Sequence, residues 1–407
     1  MKSPLTLILH RSVIIGALGY FVDIYDLLLF GIVRIESLKS LGVAESAFLP
    51  VGAFLINMQM TGLLLGGVLW GILGDKKGRL SVLFGSILLY SLANIANAFV
   101  QDVTTYGVLR FIAGIGLAGE LGAAITLVSE SLPREVRGYG TSIVAGIGVL
   151  GAVVAALIGD AFPWRTAYLI GGGMGLLLLA LRVSMLESGL YEKAKSSAAT
   201  RGNFFQLFSN QSLFTKYLAC IAIGIPIWYA IGILITFSPE FAKALDISGK
   251  VKAGEAIMYS YIGLSIGDFA SGIISQWFQS RRKTVLMFLL LTAASTALYF
   301  LLPVRTPVAF YFICLLIGIS TGYWAIFVTT AAESFGTNLR ATVATSVPNF
   351  VRGSVVPMTL LFQFFAGKLG LVWGGVLLGV ISLTLALWAL RSLKESFHTD
   401  LNYLETP

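Results

Sequence analysis

Twelve apolar runs, each close to the length that crosses a lipid bilayer, occupy most of this chain. They cover residues 12–34, 48–73, 80–100, 104–129, 139–160 and 164–186, then 214–238, 253–278, 284–303, 307–331, 342–367 and 371–391. About 20 apolar residues in a helix span the hydrocarbon core. The residues are 57% hydrophobic and only 12% charged, about half the charge of a typical soluble domain. The 45 glycines suit helices that approach closely in lipid. The expectation is an all-α polytopic membrane protein with 12 transmembrane helices.

The long hydrophilic stretch 187–213 divides these runs six and six. It carries Glu187, Glu192, Lys193, Lys195 and Arg201, with an amphipathic piece at Phe204–Phe208. The predicted organisation is a six-helix bundle over 1–186, a linker over 187–213 and a second six-helix bundle over 214–407. Lys and Arg favour the linker side of the runs by roughly two to one, which places the linker and both termini in the cytoplasm. The net charge of +8 therefore reads as topology, not as affinity for nucleic acid. No removable signal peptide is expected at the N-terminus. Cys220 and Cys314 lie inside apolar runs and read as buried thiols. His10 and His398 stand near the chain ends and offer no metal site. A Gly-x-x-x-x-Gly-Lys-Ser/Thr phosphate loop is absent, so nothing points to ATP hydrolysis.

The halves repeat. Glu130-Ser-Leu-Pro-Arg-Glu-Val-Arg137 matches Glu333-Ser-Phe-Gly-Thr-Asn-Leu-Arg340, with Arg seven residues after Glu in both. Gly71-Ile-Leu-Gly-Asp75-Lys-Lys-Gly-Arg79 has a degraded copy in Gly272-Ile-Ile-Ser-Gln276 followed by Arg281-Arg-Lys283. Parallel repeats of this kind place a solute site at the midplane, between the halves.

These motifs carry a resemblance. Gly71–Arg79 resembles the loop between helices 2 and 3 of the major facilitator superfamily. Arg110, Gly114, Gly116, Gly119, Glu120 and Gly122, then Glu130 and Arg137-Gly138, are similar to the metabolite:proton symporters and their sugar-porter relatives. Phe21-Val-Asp23-Ile-Tyr-Asp26-Leu resembles the acidic helix 1 motif of the same groups. Glu187-Ser188 is similar to their Glu-Ser-Pro segment, with Gly189 where proline is usual. The resemblance implies two pseudo-symmetric bundles with cytoplasmic termini in a plasma membrane, here a bacterial inner membrane. It also implies alternating access, with a small-molecule substrate and the proton as coupling ion. No organic cofactor or metal is expected, and one copy forms the whole pathway, so a monomer is expected.

Ionisable groups at membrane depth are costly and mark function. Asp23, Asp26, Arg110 and Glu120 are the candidates in the first half. Asp23 and Asp26 share a helix face, and the depths of Asp26 and Arg110 match. An Asp26–Arg110 pair, or Asp23 in place of Asp26, would take up a proton as the Arg withdraws. A static neutralising pair is the competing interpretation. Glu120 is either a second proton site or substrate contact, or else a carboxyl that holds helix 4 against helix 1. Its second-half counterpart is Tyr323.

In the second half Arg352, beside Asn349, is the candidate anchor for an anionic substrate, because a guanidinium presents a fork to carboxylate or phosphate. The alternative is a structural pair with Asp268. Pro348 and Pro357 flank Arg352 and favour bending. Trp228, Tyr229, Tyr323 and Trp324 fall mid-span in helices that line the cavity of the resembling family. They are substrate candidates against a background of ordinary packing. Asp75, Arg79, Glu130 and Arg137, with Glu333 and Arg340 as the second copy, match the family's conformational latch.

The expected function is proton-coupled symport of a small polar metabolite, an organic anion first. An exporter, an antiporter or a proton-independent facilitator is the alternative. The helix 5 Gly-Pro signature of drug antiporters is missing from Gly146–Gly159. No nucleophile–base constellation supports an enzyme.

Overall fold

Each apolar run is helical over its described residues. The computed structural model describes residues 11–77, 79–120, 137–186, 204–208, 210–303 and 306–397, and there is no strand among them. The first half comprises α1 (Arg11–Ser40), α2 (Phe48–Lys77), α3 (Arg79–Asn97), α4 (Val103–Leu117), α5 (Arg137–Ala161) and α6 (Trp164–Leu186). The second comprises α7 (Gln211–Ile235), α8 (Ala253–Phe278), α9 (Arg281–Leu301), α10 (Pro307–Glu333), α11 (Thr337–Gly353 and Val355–Leu369) and α12 (Leu371–Ser392). Ten are long and apolar enough to cross a membrane; α3 and the shorter α4 are the other two. Large apolar side chains cover the perimeter, with Trp277 and Leu301 at 80% and 79% exposure, as lipid contact requires.

Glu130, the segment 187–203, His10 and His398 lie outside the described residues, as do the side chains of Asp75, Arg79 and Arg137. Phe204–Phe208 forms a single 3₁₀ turn. It buries Leu207 and stacks Phe204 on Phe350 of α11 with ring centroids 6.3 Å apart.

The repeat is built into the packing. A Cβ on Gly62 of α2 would strike the Phe111 carbonyl of α4, and one on Gly263 of α8 would strike the Leu315 carbonyl of α10. Gly114 meets the Gln59 carbonyl as Gly318 meets that of Ser260. Glycine at each crossing lets two backbones touch, and it does so at matching positions in the two halves. This register pairs Glu120 with Trp324, not with the expected Tyr323. The halves meet where α2 runs along α11 and α5 along α8.

Several helices are interrupted near the centre. In α7, Gly224 precedes Pro226, and a short helix Ile225–Tyr229 passes into a π-helical turn over Ala230–Ile235. Proline removes an amide donor and clashes with the preceding turn, which breaks regular α-geometry. In α10 the helix stops at Thr321 and restarts at Trp324. In α11 Pro348 is accommodated inside the helix, and the interruption falls at Ser354. Irregular backbone at membrane depth is tolerated where protein or a cavity surrounds it. These interruptions all lie in the second half, close to Trp228, Trp324 and Arg352.

Candidate functional site

A cavity of about 20 Å³ lies between the halves. Tyr20 and Ile24 of α1, Trp228 of α7, Tyr261 of α8, Trp324 of α10 and Arg352 of α11 are among its walls. It has room for about one water, whereas a cavity known to hold a benzene ring measures about 150 Å³. An organic solute enters only if the halves move apart.

Arg352 is the cation on this cavity. It is 1% exposed, and its Nη1 lies 3.6 Å from Oδ2 of fully buried Asp23. The guanidinium also stands over the Trp324 ring at 5.8 Å. The expected alternative partner, Asp268, is engaged elsewhere. Its carboxylate accepts from the Ala325 amide at 3.2 Å, where α10 restarts and backbone donors are free. The Asp23–Arg352 pair joins the two halves, which makes Asp23 an interface residue as well as part of the helix 1 motif.

The expected Asp26–Arg110 pair does not form. Arg110 donates from Nη1 to Tyr168 Oη at 3.3 Å and from Nη2 to Gln59 Oε1. It lies over the Phe30 ring at 4.9 Å, so its direct contacts are neutral groups. Asp26 is fully buried, its carboxyl makes no hydrogen bond, and it packs against Gly171 of α6. Matched depth brought the two residues to the same level, but packing turned them to different neighbours.

Glu120 is bound by a residue the sequence did not single out. Arg182 of α6 donates to it from both terminal nitrogens, Nη1 to Oε2 at 3.0 Å and Nη2 to Oε1. Arg182 lies near the linker-side end of α6, yet it is 6% exposed. A Cβ on Gly19 of α1 would collide with both partners. The absence of a side chain there is what admits the pair beneath α1.

The four aromatic candidates separate. Trp228 and Trp324 line the cavity. Tyr229 turns away and donates to the Gly375 carbonyl of α12 at 2.9 Å, and Tyr323 donates to the Ile223 carbonyl at 2.9 Å. These two are packing residues. Tyr20 and Tyr261, which had not been singled out, take their place. Asn349 donates to the Ala118 carbonyl at 3.2 Å and so fastens α11 to the end of α4.

At the linker end Glu333 pairs with Arg281 at 3.2 Å, not with Arg340. Arg340 instead donates to the Ala332 and Phe335 carbonyls at 3.2 and 3.3 Å, where α10 ends. Arg281 belongs to the degraded second copy of the Asp75–Arg79 motif, so this pair joins the two repeated motifs of the second half. At the opposite end two ion pairs bridge the halves. Arg34, fully buried in α1, meets Glu240 at 2.6 Å. Lys252 meets Asp160 at 2.5 Å, and this hydrogen bond raises the Lys252 pKa.

Two bundles around a central charged cavity, with interrupted helices and inter-half ion pairs, form the architecture of a carrier. A family model of the Major Facilitator Superfamily matches residues 16–355. The chain belongs to this superfamily. The transporter is 24% identical over 404 residues to a gentisate transporter of Corynebacterium glutamicum, covering 95% of this chain and 88% of the relative. It is 37% identical over 161 residues to a niacin transporter of Acinetobacter baylyi, covering 38% of this chain and 35% of the relative. Among solved structures it is similar to a D-xylose-proton symporter, with a TM-score of 0.68 at 15% identity, covering 97% of this chain and 99% of that one. The last similarity carries the fold. The protein is a multi-pass membrane transporter, not an enzyme.

Proposed function

We propose that the transporter imports a small aromatic carboxylate together with a proton, by alternating access. The observation that carries this is Arg352, a buried guanidinium on the central cavity that Trp324 and Trp228 also line. A guanidinium fork matches a carboxylate, and indole faces suit a planar ring. The gentisate and niacin relatives are named for acids of this kind. Proton coupling draws on Asp23, which faces Arg352, and on Asp26, Glu120 and Arg110 behind it. The linker end is assigned to the cytoplasm of a bacterial inner membrane from the Lys and Arg bias. The halves act as the bundles 1–186 and 214–407, in one copy. Charges of the Asp75–Arg79, Glu130–Arg137 and Arg281–Glu333 regions hold the linker end as a latch while the halves rock.

Counterflow into proteoliposomes loaded with unlabelled acid tests the substrate class. Labelled gentisate and nicotinate are expected to exchange, and their neutral amides are not. Arg352→Gln is expected to remove exchange by at least about tenfold, the scale of one lost charge-assisted contact. Equal exchange of the amides, or full activity of Arg352→Gln, would sink the proposal.

A further inference from the structure

Helix α3 buries a row of polar side chains that have no hydrogen-bond partners. Tyr90, Asn94 and Asn97 stand at i, i+4 and i+7 and share one helix face, with Ser91 beside them. All four are fully buried. Tyr90 Oη, Ser91 Oγ and both side-chain polar atoms of Asn94 and Asn97 make no hydrogen bond, and neither does either Asp26 oxygen. Asn94 faces the Asp26 carboxyl, and Tyr90 lies near both Asp26 and Glu120. On α6 two glycines four residues apart leave room against this row. A Cβ on Gly171 would strike Asp26 Oδ1, and one on Gly175 would strike Ser91 Oγ. Buried polar groups almost always bond to protein or to water, and an internal water makes about three hydrogen bonds at such polar sites.

The row has a direction. Asn97 is the last residue of α3, at the end opposite the linker, and Gln101 and Asp102 just beyond it are exposed. From Asn97 to Tyr90 the row descends about 10 Å. None of its residues lines the cavity between the halves. It lies inside the first bundle, so it does not cross the seam that the Arg34–Glu240 and Asp160–Lys252 pairs close.

We propose that this row is a hydrated file that carries protons from the outer surface to Asp26, apart from the route of the solute. The proposal rests on the proton coupling proposed above and gives it an entry path. The asparagine amides hold the waters. The Tyr90 and Ser91 hydroxyls both donate and accept, so they pass a proton on. One proton leaves outer water, shifts along the file and ends on an Asp26 oxygen, with no other bond changed. The charged and titratable groups around that carboxyl are Asp23 and Tyr25 on α1, Tyr90 on α3, Arg110 on α4 and Tyr168 on α6. Arg110 is turned to Gln59 and Tyr168, so neutralising Asp26 falls to the proton. Protonation by this path does not wait for the halves to part.

X-ray hydroxyl-radical footprinting of the purified full-length transporter in heavy-oxygen water tests the file, because radicals made from bound water mark the side chains beside it. Tyr90 is expected to take up the label. Tyr229, equally buried but donating to the Gly375 carbonyl, is not. Asn94→Leu combined with Asn97→Leu is expected to remove the label from Tyr90. In proteoliposomes the same variant is expected to lose uptake driven by an inward proton gradient, while counterflow of labelled gentisate stays at the wild-type rate. An unlabelled Tyr90 in the wild type overturns the file by itself, whether or not the variant folds. So does a variant whose gradient-driven uptake equals that of the wild type. Wild-type uptake that ignores the gradient, with Tyr90 labelled, overturns the proton coupling and the file's proton role together and leaves only its water.

Discussion

Arg182 reaches from α6 to place both terminal nitrogens on Glu120, and its position explains what a sequence conceals at the residue scale. Polarity and depth are legible: Asp23, Asp26, Arg110, Glu120 and Arg352 stand out in apolar runs, and all five are buried. Partner choice is not legible, because it depends on the rotation of each helix and on contacts between residues far apart in sequence. Depth alone suggested Asp26 for Arg110, and nothing in the sequence set Arg182 and Arg34 apart from ordinary span-end cations. Removing Glu120 tests how much the buried pair matters. Glu120→Gln leaves a guanidinium without its counter-ion, a loss of about 3–5 kcal/mol, read as a lower melting temperature in detergent. Adding Arg182→Gln is expected to restore part of it. A single variant as stable as the wild type would show that the pair is dispensable.

At the scale of elements, helix interruptions and crossings do the positioning. Pro226 in α7 and Pro348 in α11 were visible in sequence, and the glycine crossings were readable as close packing. The equivalence of Gly62 with Gly263 lies in their matching carbonyl contacts across α2–α4 and α8–α10, which no local pattern shows. The end of α12 shows a second device. Glu395 accepts from Ser280 Oγ and from the Arg281 and Arg282 amides, the latter two at 2.9 and 3.3 Å, and so caps α9. Partial burial opposes its ionisation, but these hydrogen bonds outweigh that and hold its carboxyl below the usual range. Because the folded value is depressed, the stabilisation is present above the unfolded pKa of about 4.3 and is lost as pH falls through the lower folded value. Glu395→Gln is expected to melt slightly below the wild type at neutral pH, with the gap closing in acid. A gap that widens in acid would contradict the cap. The exposure of Glu395 keeps the effect small.

At the scale of the molecule, the twelve-helix plan was readable from hydropathy because span length is set by the bilayer itself. The contacts between halves were not, since Asp23–Arg352, Arg34–Glu240 and Asp160–Lys252 each join residues that no local pattern relates. Together they hold a cavity of about 20 Å³ shut at the centre and at the end opposite the linker. Under the proposed alternating access these pairs separate in turn, and the central one is the proposed place where an anion and a proton enter the cycle.

Uptake of labelled gentisate or nicotinate into proteoliposomes under an imposed inward proton gradient tests this account most directly. Accumulation is expected to approach about tenfold per pH unit of gradient, to collapse with a protonophore, and to vanish in Asp23→Asn while counterflow persists. Uptake that reaches only equal concentrations on both sides, whatever the gradient, would contradict proton coupling and describe a facilitator.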